Sequence, residues 1–213
     1  VDKEKEINEW FNNNHDSYYK ITCETEIGNG HYINLKDIDF ELFKGDYYIK
    51  DIKTQEKIVK PPKPFNTSSL QQKASSLFNI PVSIIMNILQ SLFSKGLITY
   101  HRTTSIVLSN ECLEMCKDYI IDKYGDEYYE RREYKDKQSN SENSHEAIRH
   151  TTNNYNPKDL SNDELKIYQL IFNTTIQSQM KNKIINEQII SINNNKLSND
   201  FIITNNITIF KGF

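Results

Sequence analysis

Two hydrophobic periods take turns along this chain. From residue 18 to residue 57 apolar and polar positions alternate, as they do in half-buried strands. Tyr19, Ile21, Cys23 and Thr25 fall on one face of an extended segment. Gly28-Asn29-Gly30 is a turn signal, and Tyr32, Ile33 and Leu35 resume beyond it. Phe40, Leu42 and Phe43 follow, then Gly45-Asp46 marks a turn before Tyr47, Ile49 and Ile52. The pattern predicts an antiparallel meander of short strands. Residues 1–10 read as the end of a charged helix, stopped by Asn12-Asn13-Asn14.

Pro61-Pro62-Lys63-Pro64 ends the alternation. Proline has no N–H and restricts the residue before it, so this is a stiff, extended connection and a candidate domain boundary. The period then becomes helical. Thr67-Ser68-Ser69 offers an N-cap for a helix to residue 78. A second helix over 82–95 carries Ile84, Ile85, Ile88, Leu89 and Leu92 at helical spacing, and Gly96 suits its left-handed stop. Ile98, Thr99 and Tyr100 fit a short strand, and a third helix covers 109–124. Helix, helix, short strand and helix resemble a winged-helix arrangement. Residues 127–143 are charged and polar with little to bury, which predicts a mobile loop.

Pro157 marks a second boundary. A long amphipathic helix over 162–181 aligns Leu165, Tyr168, Phe172 and Ile176, and strands over 183–192 and 201–210 flank the turn at Asn193-Asn194-Asn195. β-rich segments therefore stand at both ends of a helical stretch. The expected fold is α+β and multidomain, a β-rich domain split by an inserted helical one. Its parts are 1–64, 65–156 and 157–213.

Composition narrows the function. The chain has 213 residues with a net charge of -3, from 26 Lys+Arg and 29 Asp+Glu. That balance argues against a surface that grips nucleic acid everywhere, but leaves room for a local basic site. Three cysteines fit neither a disulfide framework nor a zinc site. Cys112 and Cys116 share a helix face as reduced, partly buried thiols, which suits an intracellular location. No apolar run reaches the roughly 18 residues of a membrane span, and no signal peptide is visible. The first residue is Val, which suggests a piece of a longer protein.

Tyr100 and Arg102 lie two apart, so an extended backbone points both to one face. A tyrosine hydroxyl can attack a phosphodiester and hold the product covalently. An arginine beside it can grip the phosphate oxygens through two parallel hydrogen bonds. Among 13 tyrosines, a packed ring next to a surface arginine is the commoner arrangement. His145, Glu146 and Arg149 lie at helical spacing, so one helix face carries an imidazole and a guanidinium, or is simply solvated. A zinc-protease reading of His145-Glu146 fails, because no second His follows at the required spacing.

Three runs together go further. Pro64-Phe65-Asn66-Thr67-Ser68-Ser69-Leu70-Gln71, Gly96-Leu97-Ile98-Thr99-Tyr100-His101-Arg102-Thr103-Thr104-Ser105 and Ser144-His145-Glu146-Ala147-Ile148-Arg149-His150-Thr151 resemble three blocks of the type IA DNA topoisomerases. They occur in that family's order and approximate spacing. The family's usual forms are Pro-Phe-Thr-Thr-Ser-x-Leu-Gln, Gly-x-Ile-Thr-Tyr-x-Arg-Thr-Asp-Ser and Ala-His-Glu-Ala-Ile-Arg-Pro-Thr. The likeness is good over residues 64–168 and continues more weakly to residue 180.

The resemblance implies that Tyr100 is the nucleophile, leaving a 5′-phosphotyrosyl link, and that Arg102 holds the scissile phosphate. It puts Gln71, Ser105, His145 and Arg149 along the bound strand. It implies a split β-rich arch and a mobile, winged-helix-like (CAP-like) domain bearing Tyr100. The partner is single-stranded or negatively supercoiled DNA, the protein acts as a monomer, and strand passage and religation need no ATP. Mg²⁺ would sit on a Toprim domain outside this segment. This chain itself holds no metal site, and alone it should not cleave.

Departures from the family bear on the site. Thr104 stands for Asp, His150 for Pro with the addition of a possible cation, and Asn66 for Thr. Asp37-Ile38-Asp39 has the spacing of an acidic metal pattern but reads as a turn-and-strand feature. The alternative function is a non-catalytic winged-helix DNA-binding module. The helix over 109–124 suits that poorly, since Glu111, Glu114, Asp118 and Asp122 outnumber Lys117 and Lys123.

Overall fold

The computed structural model describes residues 19–33, 35–136, 145–153 and 160–213. The helix end expected over 1–10 and the boundary at Pro157 lie outside the described residues. The chain divides into two compact units, Val1–Lys57 with Ile185–Ile209, and Ile58–Ile184 with Phe210–Phe213.

The first unit is built on strands β1 (Thr22–Thr25), β2 (Gly28–His31), β3 (Tyr48–Val59), β4 (Lys183–Asn193) and β5 (Phe201–Phe210). The sheet order is β1-β2-β5-β4-β3, so the expected meander is corrected. Strands distant in sequence enter between β2 and β3, with His31 opposite Ile202 in an antiparallel pair. Alternation marks a strand but not its neighbour, because pairing is a long-range contact. Phe40–Phe43 is a 3-10 turn rather than a strand. Asp39 caps it by accepting from the Glu41 N–H at 3.0 Å, which gives the Asp37-Ile38-Asp39 run a local role.

Gly28 and Gly30 are not the turn. They belong to β2, and Glu26 and Ile27 make the bend. Gly30 is there because the backbones approach closely: a Cβ on it would lie 2.6 Å from Cys23 Sγ. Tyr32, Ile190, Ile192, Leu197, Phe201 and Ile203 form the core of this unit. The Tyr32 ring meets those of Phe43 and Phe201 at 5.3 and 5.1 Å.

The second unit holds helices α1 (Thr67–Phe78), α2 (Val82–Ser94), α3 (Asn110–Tyr124) and α4 (Asn162–Ser178). Asn66 caps α1, not the Thr67-Ser68-Ser69 run. Its side chain accepts from the Ser69 N–H and the Ser69 hydroxyl answers to the Asn66 N–H. Ser109 caps α3, and Ser161 with Glu164 forms a capping box on α4. Gly96, at φ 70, takes the left-handed conformation expected after α2. Leu70, Ala74, Ile85, Leu89, Leu92, Ile98, Ile148 and Ile171 close one core. Cys112, Cys116 and Ile120 of α3 close a second with Ile176 and Met180.

The expected mobile loop over 127–143 is corrected over residues 127–136. Tyr128 and Tyr129 dock it against the second core, and Tyr129 bridges Met180. Glu130 N–H donates to Gln179 at 3.0 Å, and Arg131 pairs with Glu114 at 3.0 Å. This docking also ends α4 at Ser178, because the backbone of 179–181 is engaged by the loop. Residues 137–144 lie outside the described residues. No single helix among the described residues is long and apolar enough to cross a membrane.

Candidate active site

Three segments far apart in sequence are laced together by backbone hydrogen bonds. The start of α1 meets the run after α2: Thr67 N–H donates to Thr103 O at 3.0 Å, and the Thr67 hydroxyl donates to His101 O at 2.7 Å. Asn66 Nδ2 reaches Thr104 O at 3.3 Å. The third segment closes on both. Ile148 N–H donates to Phe65 O at 2.8 Å, Thr99 N–H to Arg149 O at 3.0 Å, and Thr151 N–H to Leu97 O at 3.1 Å. The 145–150 segment is therefore extended, with bridges at Ile148 and His150, and the helix face expected for His145, Glu146 and Arg149 is corrected. Partners on both sides take its backbone groups, which a helix would have used internally.

This lacing sets side-chain direction. Between residues 100 and 105 exposure alternates strictly. His101, Thr103 and Ser105 are buried, while Tyr100, Arg102 and Thr104 face outward. Tyr100 is 40% exposed, its ring 5.5 Å from Phe93 and 5.4 Å from His145. Arg102, Thr104, Gln71 and His145 line one groove of about 410 Å³ with Asn66 and Ser68. Arg102 makes no hydrogen bond or ion pair among the described residues, so its guanidinium is available to an anion. Tyr100 stands beside this groove through its contact with His145.

Two of the expected strand contacts are placed otherwise. Ser105 is 1% exposed, and its hydroxyl accepts from the Val107 N–H at 3.1 Å. Arg149 is 7% exposed and lies behind the groove. Its guanidinium donates to both Glu146 oxygens, at 2.7 and 3.3 Å, to His150 O at 3.1 Å and to Ser109 Oγ at 3.3 Å. Burial works to raise the Glu146 carboxyl, but the hydrogen bonds and charge of Arg149, with Ser109, hold it below the usual carboxylate range. This clamp fixes the third segment to the cap of α3. Glu146 was missed as its partner because the sequence suggested a solvated helix face.

His150 is corrected as a possible cation. It is fully buried, its ring 4.4 Å from Phe172. Asn153 Nδ2 donates to Met115 O at 2.9 Å, which turns the Asn153 oxygen toward His150 Nε2 at 3.0 Å. Nε2 therefore carries the proton, and Nδ1 has no partner. Burial pushes its pKa down to about 4; the Asn153 bond opposes this and the Arg149 charge adds to it. His101, unnoticed in the sequence, is likewise buried with neither ring nitrogen partnered. Burial, then the neighbouring Arg102 charge, pushes it below the ordinary imidazole value. Both histidines are buried, and burial favours their neutral form.

Among the described residues no group of three or more His, Cys, Asp or Glu is placed to hold a metal ion. Cys112 and Cys116 are free and fully buried, their sulfurs 4.0 Å apart.

A protein-family model described as DNA topoisomerase matches residues 1–213. The chain is 32% identical to a prokaryotic-type DNA topoisomerase 1 of Acanthamoeba polyphaga mimivirus, over 94% of this chain and 28% of that protein. It is 37% identical to DNA topoisomerase 1 of Rickettsia bellii, over 70% of this chain and 20% of the relative. The structure of full-length topoisomerase I from Thermotoga maritima superposes with a TM-score of 0.75 at 29% identity, covering 92% of this chain and 35% of that one. The mixed α/β architecture with an antiparallel sheet thus matches a topoisomerase I fold. The chain belongs to the type IA DNA topoisomerases. It spans only 20–28% of the length of these two curated relatives.

Proposed function

We propose that this chain carries the strand-cleaving half of a type IA topoisomerase active site, with Tyr100 as nucleophile. The observation that carries this reading is convergence. Gln71, Arg102 and His145 come from three separate segments, yet they line one groove beside an exposed tyrosine.

In this reading the Tyr100 oxygen attacks a backbone phosphorus of single-stranded DNA. A phosphorus–oxygen bond to tyrosine forms and the bond to the 3′-oxygen breaks. The phenol loses its proton, and the leaving oxygen gains one to become a 3′-hydroxyl. Arg102 neutralises the phosphate oxygens as charge builds on them. One phosphodiester replaces another, so the 3′-hydroxyl can reverse the step without ATP. Gln71 and His145 hold the strand, and Arg149 acts from behind by fixing the segment that carries His145. Thr104, where the family has Asp, leaves the groove without that carboxylate.

The second unit then contains the Tyr-bearing, winged-helix-like domain, and the first unit is part of the arch. The whole protein relaxes negatively supercoiled DNA inside the cell as a monomer. Among the described residues no three His, Cys, Asp or Glu are grouped to hold Mg²⁺; in this reading the metal would sit on a Toprim domain outside this segment. The 213-residue segment by itself should be inactive.

The test is to mix the intact protein with an end-labelled single strand and quench with detergent. A covalent adduct is expected. Tyr100→Phe should abolish it, and Arg102→Ala should slow it roughly 10²–10³-fold, as for loss of a transition-state donor. An adduct that survives Tyr100→Phe refutes the assignment.

A further inference from the structure

Helix α1 has three stripes, set apart by its 100° step per residue. Leu70 and Ala74 are buried in the core. Ser68 and Gln71 face the Tyr100 groove. Ser69, Gln72, Lys73 and Ser76 face a different and larger groove of about 960 Å³, whose other wall is α4.

The lining of this second groove is one-sided in charge. Lys60, Lys73 and Lys166 contribute to it, and no Asp or Glu side chain does, although acids outnumber bases in the chain. Lys60 and Lys73 have no ion-pair partner among the described residues. Lys166 is paired only with Asp163 on its own helix, at 3.0 Å and half exposed, a contact that costs little to exchange. Along α4, Gln169, Asn173 and Gln177 recur every four residues on the groove side. Their side-chain amides have no hydrogen-bond partner among the described residues. Phe78, Leu170 and Phe213 supply apolar surface between these polar groups.

Resting on the topoisomerase reading for the identity of the polymer, we propose that this groove is a second seat for single-stranded DNA, separate from the one at Tyr100. Cations along both walls suit a phosphodiester backbone, the amide row suits phosphate oxygens and base edges, and the apolar patches suit unpaired bases. A duplex hides its bases and would leave the apolar surface unused. The body of α1 separates the two grooves, so a strand in one does not occupy the other.

The intact protein would be titrated with a fluorescent thymidine oligonucleotide over a range of salt, alongside the Lys60→Gln/Lys73→Gln/Lys166→Gln variant, with its fold checked by circular dichroism. Each lost phosphate contact removes about 0.7 from the log–log salt slope for a single strand, so the slope should fall by about 2. Affinity at low salt should drop at least about tenfold. In the unsubstituted protein, acetylation of Lys60 and Lys73 should be blocked by the oligonucleotide and proceed freely without it. An unchanged slope, equal competition by a duplex of the same length, or lysines shielded before any DNA is added would each overturn the proposal; the last would mean that another part of the protein covers the groove. Tyr100→Phe separates the two readings. Loss of the adduct with an unaltered lysine slope sinks the second seat alone, whereas a surviving adduct sinks the tyrosine assignment and leaves the slope result standing.

Discussion

His150 makes the stability of this fold depend on pH in a calculable way. The imidazole is fully buried against Phe172, with its proton on Nε2 facing Asn153 and no partner for Nδ1. Its pKa lies near 4 in the folded protein, against an ordinary value of 6.5. The unfolded chain therefore binds a proton more readily between those values, and folding is opposed there. The sign follows directly. Stability is fully present above about pH 6.5, erodes as pH falls toward 4, and is lost by about 3 kcal/mol below both values. Between about pH 7 and pH 5 the loss is about 2 kcal/mol. Urea unfolding at several pH values would measure it, in the parent protein and in His150→Gln and His150→Phe. Glu146, held low by Arg149, also loses stability in acid, but at lower pH and in both parent and variants, so the difference isolates His150. The variants should show a decline between 7 and 5 smaller by about 2 kcal/mol, with His101 still contributing its own share. Parallel curves for parent and variants, or a His150 imidazole signal titrating near 6.5 by NMR, would refute this role of His150.

Other expectations follow from single contacts. Glu146→Gln leaves the buried Arg149 charge without its partner and should cost at least about 2 kcal/mol, read from the urea midpoint. Gly30→Ala drives a methyl into Cys23 Sγ and should cost about 1–3 kcal/mol, and much of this should return in Gly30→Ala/Cys23→Ala if the clash is the cause. Asn66→Ala removes the cap of α1 and a bond to Thr104, and should cost about 1 kcal/mol by thermal unfolding. Cys112 and Cys116, with no exposed surface, should resist a thiol reagent in the folded protein and react fully in denaturant.

Local rules were legible along this chain wherever a neighbour in sequence is also a neighbour in space. The apolar stripes of α2 and α4 and the Gly96 stop depend on residues within a turn or two, so spacing alone exposes them. The alternation that turns Tyr100 and Arg102 outward is likewise a property of extended backbone. The chemistry proposed for Tyr100 was legible only because three runs of sequence resemble one family.

What the tertiary structure decided is everything that depends on partners far along the chain. β4 and β5 enter between β2 and β3 because sheet neighbours are chosen by long-range pairing. Arg149 and Ser105 lie behind the groove, and His150 is neutral, because burial and hydrogen bonding are set by other segments. The convergence of Gln71, Arg102 and His145 has the same origin: the backbone bonds that lace Phe65, Thr67, Thr99 and Ile148 together appear only when the chain is folded.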